Sequence, residues 1–254
     1  MTDLGGNMEQ VFQDIYKLIW EQIFPNFPLM PVEQFKALYT KDIRLPQKVA
    51  SSLSGIELYS GVEEYGYKQF ITEEEIAQRS ELDNFMKTAQ KPASLSDLLN
   101  QIKDIAMFRG SRSLNSDTIV ESDDIYSSSF IYNSTHLHSC HHMLFCNGNK
   151  TSEYLMASTE NGESSFGIRL RDSGSVSNCF DMHWCGKSSN SYFCVDCFDL
   201  RDCMFCFHIV SKQYCIGNMQ FEKEEYEVLK QQLLTEYFGQ LNHPNAMVTV
   251  KDVG

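Results

Sequence analysis

The sequence predicts a mainly β protein: a narrow β-solenoid in which every third residue points inward, with an N-terminal α-helical region and a C-terminal capping helix. Three observations predict it. All nine cysteines lie between Cys140 and Cys215, and the gaps between consecutive ones are 6, 33, 6, 9, 3, 6, 3 and 9, each a multiple of three. Stepping in threes from Ser122 to Asn218 gives 33 positions holding nine Ser, nine Cys, ten aliphatic or Met residues, three Asn, one Gly and one Lys. The same window holds 16 charged residues, 14 aromatics and six histidines. Only Lys212 among these 36 falls on the every-third set, where chance would put about twelve.

Helical faces recur at 3.6 residues and strand faces at 2, so a period of 3 fits neither template. A coil of short extended steps and turns does fit. Ser and Cys fill the tight places of a cramped interior, and Ile, Leu and Met the looser ones, because the core must reach crystal-like density without room for rings. Such repeats become stable only by stacking. A buried hydroxyl left unpaired costs roughly 1–3 kcal/mol, so each inward serine needs a backbone or ladder partner. Coils of 12, 15 and 18 residues all satisfy a triplet register.

Before the solenoid, residues 8–24 place Val11, Ile15, Leu18, Ile19 and Ile23 at helical spacing, which predicts an amphipathic helix. Pro25, Pro28 and Pro31 break it, and Val32 to Tyr39 make a short second helix. Residues 46–70 read as loops or a small hairpin. Thr72 followed by Glu75 is a capping box, opening a helix to about Lys87. Ser94 caps another to about Arg109, with Leu95, Leu98, Leu99, Ile102 and Ile105 on one face. Composition shifts near residue 111 to Ser, Cys and Asn. The expected organisation is a helical region at 1–110, the solenoid at 111–216, and a capping helix with a loose tail at 217–254. The terminal helix, from Lys223 to Phe238, covers strand edges that would otherwise template aggregation.

The segment from Tyr192 to Phe207, with its tandem Cys-x-x-Cys triplets, leads into Lys212-Gln-Tyr-Cys-Ile-Gly-Asn-Met-Gln-Phe-Glu-Lys-Glu-Glu-Tyr226. Residues 175–235 resemble a family of uncharacterised cysteine-rich repeat proteins of candidate-phyla bacteria and phages, which end in the same K-x-Y-C-I-x-N-x-x-[YF]-x-K-E-E-Y order. The resemblance implies a solenoid closed by a C-terminal helix. It implies no activity.

The chain has 21 Lys and Arg against 34 Asp and Glu, a net charge of −13, which argues against direct nucleic-acid binding. No apolar run reaches membrane-spanning length, and the N-terminus lacks the pattern of a secretory signal. The expected compartment is therefore the cytoplasm, or a virion if the gene is carried by a phage, where thiols stay reduced. Two metal sites deserve testing: Cys194, Cys197, Cys203 and Cys206, whose paired spacing suggests zinc, and His136, His138, His141 and His142. The every-third register already accounts for the four thiols without a metal, so no cofactor is expected, with zinc as the alternative. His183 beside Cys185 would make a nucleophile pair, but the register points them apart. Asp196, Asp199 and Asp202 read as an outward acidic row. Trp184, Phe193 and Phe205 face outward, and with Trp20 and Phe24 of the first helix they are the expected partner-binding residues. The function expected is that of a non-enzymatic structural or protein-interaction module in a larger assembly, possible virion component included. The alternative is a zinc-binding or thiol-redox protein using residues 194–206.

Overall fold

The computed structural model describes residues 4–62, 66 and 68–241, with the side chains of 4–7 left aside. The expected loose tail and the end of the chain lie outside these residues. The protein is a β-solenoid of about nine coils, with helices at both ends of the chain. Each coil is 12 residues long: Ile119 pairs with Ile131, Ile131 with Met143, Met143 with Leu155, all in parallel register. One coil is thus four triplets, and four inward columns run the length of the tube.

Within each triplet the three residues have separate tasks. The first lies on the parallel ladder, and its N–H donates forward to the next coil, as Ser129 does to the Cys140 carbonyl at 3.1 Å. The second is left-handed: from Asn115 to Tyr214 every third residue has φ between +46° and +64°, apart from Gly148 at +72°. Its N–H donates back one coil, as Asn133 does to Val120 at 3.0 Å. Left-handed backbone penalises β-branched side chains most, and that line holds no Val or Ile and only two Thr, Thr118 and Thr151. The third residue points inward. Where the inward residue one coil earlier is Ser or Asn, the third residue's N–H typically reaches that side-chain oxygen: Cys146 N–H to Ser134 Oγ at 2.9 Å, Leu170 N–H to Ser158 Oγ at 3.1 Å. The same hydroxyls donate to a carbonyl two residues back, Ser134 to Tyr132 and Ser158 to Met156. Asn161 does this within a stacked pair with Asn149. Serine is selected here for its oxygen as much as for its size.

Helix α1 (Leu4–Ile23) and α2 (Val32–Tyr39) come first, then a hairpin of β1 (Gln47–Ala50) and β2 (Glu57–Ser60), which resolves residues 46–70. Strand β3 (Phe70–Ile71) leads to α3 (Glu73–Leu82) and α4 (Leu95–Gln101), and β4 (Phe108–Arg109) returns to pair with β3. Helix α5 (Lys223–Gln240) closes the fold. The Thr72–Glu75 capping box and the Ser94 cap form as expected. Their helices stop earlier than expected, at Leu82 and Gln101, because neither buries any residue that would extend it.

One outward side of the solenoid is apolar on every coil. Val120, Tyr132, Leu144, Met156, Ile168, Phe180, Tyr192, Met204 and Ile216 recur at intervals of twelve, and from Leu144 to Ile216 they are buried. Helix α1 lies along this side, with Phe12, Ile15, Tyr16, Ile19, Trp20, Ile23 and Phe24 buried in the shared core. Helix α5 joins them: Phe238 packs on Trp20, Phe24 and Phe27 with centroids 5.6, 5.0 and 4.6 Å apart. The Tyr192 hydroxyl donates to the Ile23 carbonyl at 3.0 Å.

Both ends of the tube are closed. At the first coil Asp123, fully buried, accepts from Arg112 at 2.9 and 3.0 Å and from the Gly61 amide at 2.8 Å, tying the hairpin segment to the solenoid. A side chain at Gly61 would collide with Thr135, so the close approach requires glycine. At the last coil Asn218 completes the backbone of Phe207, accepting from its N–H and donating to its carbonyl, each at 2.9 Å. Met219–Gln220 then folds back antiparallel on Cys215–Ile216.

Two outcomes follow. Ser158→Ala leaves the Leu170 amide without its acceptor and lowers stability by about 1–3 kcal/mol in denaturant titration. Deleting residues 1–30 exposes the apolar side of the tube, so the truncated chain loses its cooperative thermal transition instead of retaining a folded solenoid.

Candidate functional site: a leucine-bearing arm, an open aromatic face and a column of thiols

All nine cysteines are free and buried. Cys194 and Cys206 stack on one column, Cys185 and Cys197 on a second, Cys203 and Cys215 on a third, each pair one coil apart. Every sulfur is within hydrogen-bond range of a carbonyl: Cys194 donates to Tyr192 at 3.3 Å, Cys197 to Val195 at 3.3 Å, Cys203 to Arg201 and Cys206 to Met204 at 3.4 Å. Burial pushes the Cys146 and Cys179 thiols up to about 12. Among the stacked sulfurs the shift splits. Cys206 is drawn down by the neighbouring Cys194 and Cys203 sulfurs, while burial together with Cys206 pushes Cys194 up, and Cys206 together with burial pushes Cys203 up. Cys197 is likewise drawn down by the neighbouring Cys185 sulfur. The four sulfurs expected as zinc ligands thus line three columns, and among the described residues no group of three or more His, Cys, Asp or Glu is gathered as an ion requires.

The four histidines are spread around the coil. His136 approaches Asp124 at 3.4 Å, His138 is bonded to Ser139 at 3.0 Å, and His141 to Ser129 at 2.7 Å. His142 is sandwiched between Phe130 and Tyr154, centroids 4.9 and 4.3 Å away, in a run of parallel rings that ends on Phe166. Asp196, Asp199 and Asp202 do not form a row along one side of the tube. With four triplets per coil, these carboxylates occupy successive corners of one coil, and each stacks on a different residue. Asp196 meets His208 at 2.7 Å and Asp199 meets Ser211 at 2.8 Å. His183 and Cys185 diverge as expected: the Cys185 thiol is buried and donates to the Cys194 carbonyl at 3.3 Å.

The expected partner-binding residues separate into two groups. Trp20, Phe24 and Phe193 are at most 1 % exposed, covered by this chain's own helices, so the surface expected of them is already occupied. Phe205 stacks on Phe193 at 4.6 Å and is half-buried. Trp184 alone stays open, at 64 % exposure. Its indole N–H donates to Asp172 at 3.3 Å. Beside it Phe198 lies over Gly186, and Val210 continues the same ladder, so three apolar side chains share one uncovered face.

The second exposed surface includes leucines that the sequence places on one face of a helix. Residues 72–107 form an arm hung from the β3–β4 pair, where Phe70 is in register with Phe108. Polar contacts hold it: Arg79 with Asp83 at 3.0 Å, Lys87 with Asp104 at 2.5 Å, and Ser51 donating to Glu75 at 2.7 Å. Its apolar face is uncovered, with Leu82 at 82 %, Met86 at 73 %, Leu95 at 72 % and Leu99 at 52 % exposure.

No family model and no curated protein matches the chain. No helix among the described residues is long and apolar enough to cross a membrane.

The packing of the sulfurs sets an outcome that distinguishes filler from reactive centre. Native protein treated with a thiol-specific disulfide reagent under argon labels far more slowly than a free thiol, and all nine cysteines react once denaturant is added. Rapid native labelling of the 194–206 thiols, or one metal ion per chain after anaerobic purification, would favour the thiol or zinc reading instead.

Proposed function

We propose that this chain is a non-enzymatic protein-interaction module of a larger assembly, in which the solenoid is a rigid mount and the arm at 72–107 is the docking element. The single observation that carries this reading is the uncovered face of α3 and α4. Leu95, Leu98 and Leu99 sit at the i, i+3, i+4 spacing that elsewhere lines a core, and Leu82 and Met86 of the same arm are exposed as well. A large exposed apolar patch marks a place that another surface covers. Amphipathic helices dock into apolar grooves through such anchors. The docking element is thus a different helix pair from the N-terminal helix, which is committed to the solenoid.

The reading works without a cofactor, the thiols acting as packing. The partner is a protein, and the family resemblance makes a phage virion one such assembly. A membrane or nucleic-acid partner has no support in a surface of this net charge.

The test uses the full chain with a photo-activated cross-linking residue in place of Ser96, on the exposed side of α4. In native extract an adduct with one defined protein is expected. Leu95→Glu with Leu99→Glu should weaken association at least about tenfold, with an unchanged melting temperature because neither side chain is buried. An adduct that forms as well with the double variant would overturn the assignment. Cross-linking from Lys187, beside Trp184, instead of from Ser96 would move the docking site to the open face.

A further inference from the structure

A groove at the N-terminal end of the tube belongs neither to the arm nor to the Trp184 face. It arises because α1 is seated mainly on the coils from Leu144 to Phe180, while Val120 and Tyr132, two coils earlier, reach past the fully covered part of the apolar side. Between these rungs, the first turns of α1 and the start of α2 lies a cavity of about 660 Å³. That size matches pockets for small molecules, which are mostly apolar with a few polar groups that fix orientation.

The walls are aromatic and the polar groups are acidic. Tyr132 and Phe145 meet at 76° with centroids 5.6 Å apart, forming a corner, and Phe12 adds a third ring 5.1 Å from Tyr132. Among the described residues Glu9, Glu33 and Glu121 line the groove, and no Lys or Arg does. Ring faces carry negative potential and attract cations, most strongly where water is displaced. The chain already uses one of these rings in that way, placing the Lys36 ammonium 5.3 Å from the Phe145 centroid. The Tyr132 hydroxyl is engaged with Glu121, and burial pushes it up to about 12. The phenol therefore stays neutral and steadies that carboxylate.

We propose that this groove binds a small organic cation, an ammonium nitrogen joined to an apolar body. The Tyr132 and Phe12 rings receive the charged head, since Lys36 already sits on Phe145, and the carboxylates neutralise it. An anion would meet three like charges. A neutral apolar molecule would desolvate the carboxylates with nothing to pair them.

Titration calorimetry of the full chain with benzyltrimethylammonium should give saturable binding of one cation per chain, and 3-phenylpropionate, of similar shape and opposite charge, should give none. Glu33→Gln with Glu121→Gln should weaken the cation by about tenfold or more. Tyr132→Leu, which leaves the carboxylates in place, should weaken it comparably while the chain still melts cooperatively. Equal binding of both probes, an undiminished affinity in either variant, or no binding at all would overturn the proposal. So would cation binding that appears only after residues 1–7 are removed, because it would assign the groove to the chain's own N-terminus.

Discussion

The whole tube depends on one unusual demand: every third backbone N–H points into the interior, where no ladder carbonyl can receive it. In an ordinary sheet the amides lie in the plane of the strands and pair there. Here a left-handed residue in each triplet turns the chain, at a conformational cost of about 1–2 kcal/mol for a non-glycine residue. The ladder takes back two amides per triplet, and the third is met by a side chain where the inward residue one coil earlier offers an oxygen. Nine inward serines, from Ser116 to Ser191, and the asparagines 149 and 161 accept such an amide. Each is positioned by the coil before it, so a coil is complete only when stacked. That requirement makes the repeat cooperative along the axis. Cysteine is the compromise residue of this interior. It is nearly as small as serine, its S–H reaches the carbonyls two residues back and nine residues ahead, as Cys146 shows with Leu144 and Leu155, and its sulfur adds apolar contact that a hydroxyl lacks.

The inward register was legible in the sequence because steric exclusion acts on one residue class at a time. No ring and, except for Lys212, no charge could be placed on that line. The coil length was hidden, since a triplet period is blind to how many triplets close a turn. The missing signal was present at another spacing. Nine apolar residues recur at intervals of twelve from Val120 to Ile216, as do the rings Phe130, His142, Tyr154 and Phe166 and the glycines 162, 174 and 186. Only a 12-residue coil brings those into contact. The same series shows where α1 must lie, because a continuous apolar stripe on the outside of a solenoid needs a cover. Without it, Trp20 and Phe24 looked like free anchors. In α4 the spacing left the cover unnamed. Leu95, Leu98 and Leu99 have the spacing of a core face, but spacing reports amphipathicity and says nothing about which surface does the covering.

The ends explain the exceptions to the register. Lys212 is the one charged inward residue and belongs to the last coil, where its side chain is exposed. An inward charge on a terminal strand opposes pairing with a further edge. Asn218 acts on the same coil through bonds, completing both backbone groups of Phe207. At the opposite end a buried Asp123 is paired with a half-buried Arg112 and also takes the Gly61 amide. A buried ion pair is a poor source of stability by itself and a good source of register. The Arg112, Asp123 and Gly61 contacts fix the hairpin over one coil edge. These residues stop the repeat, so the tube has a set length and does not grow into a filament.

A stacked repeat of set length is stiff, and its interior is too closely packed to hold a substrate. Whatever the protein recognises must therefore lie where the repeat is interrupted or only partly covered. Helix α1 spans most of the apolar stripe and leaves its first rungs beside acidic residues. The arm leaves the solenoid between two short strands and buries none of its leucines. These features would each cost stability or solubility in an isolated chain: exposed leucines invite aggregation, and carboxylates that line an apolar groove lose part of their hydration. Neither contributes to closing the tube, which Asp123, Asn218 and α5 already accomplish. Their persistence in a sequence otherwise so constrained by packing is the physical reason to place recognition at the arm and the groove instead of in the column of thiols.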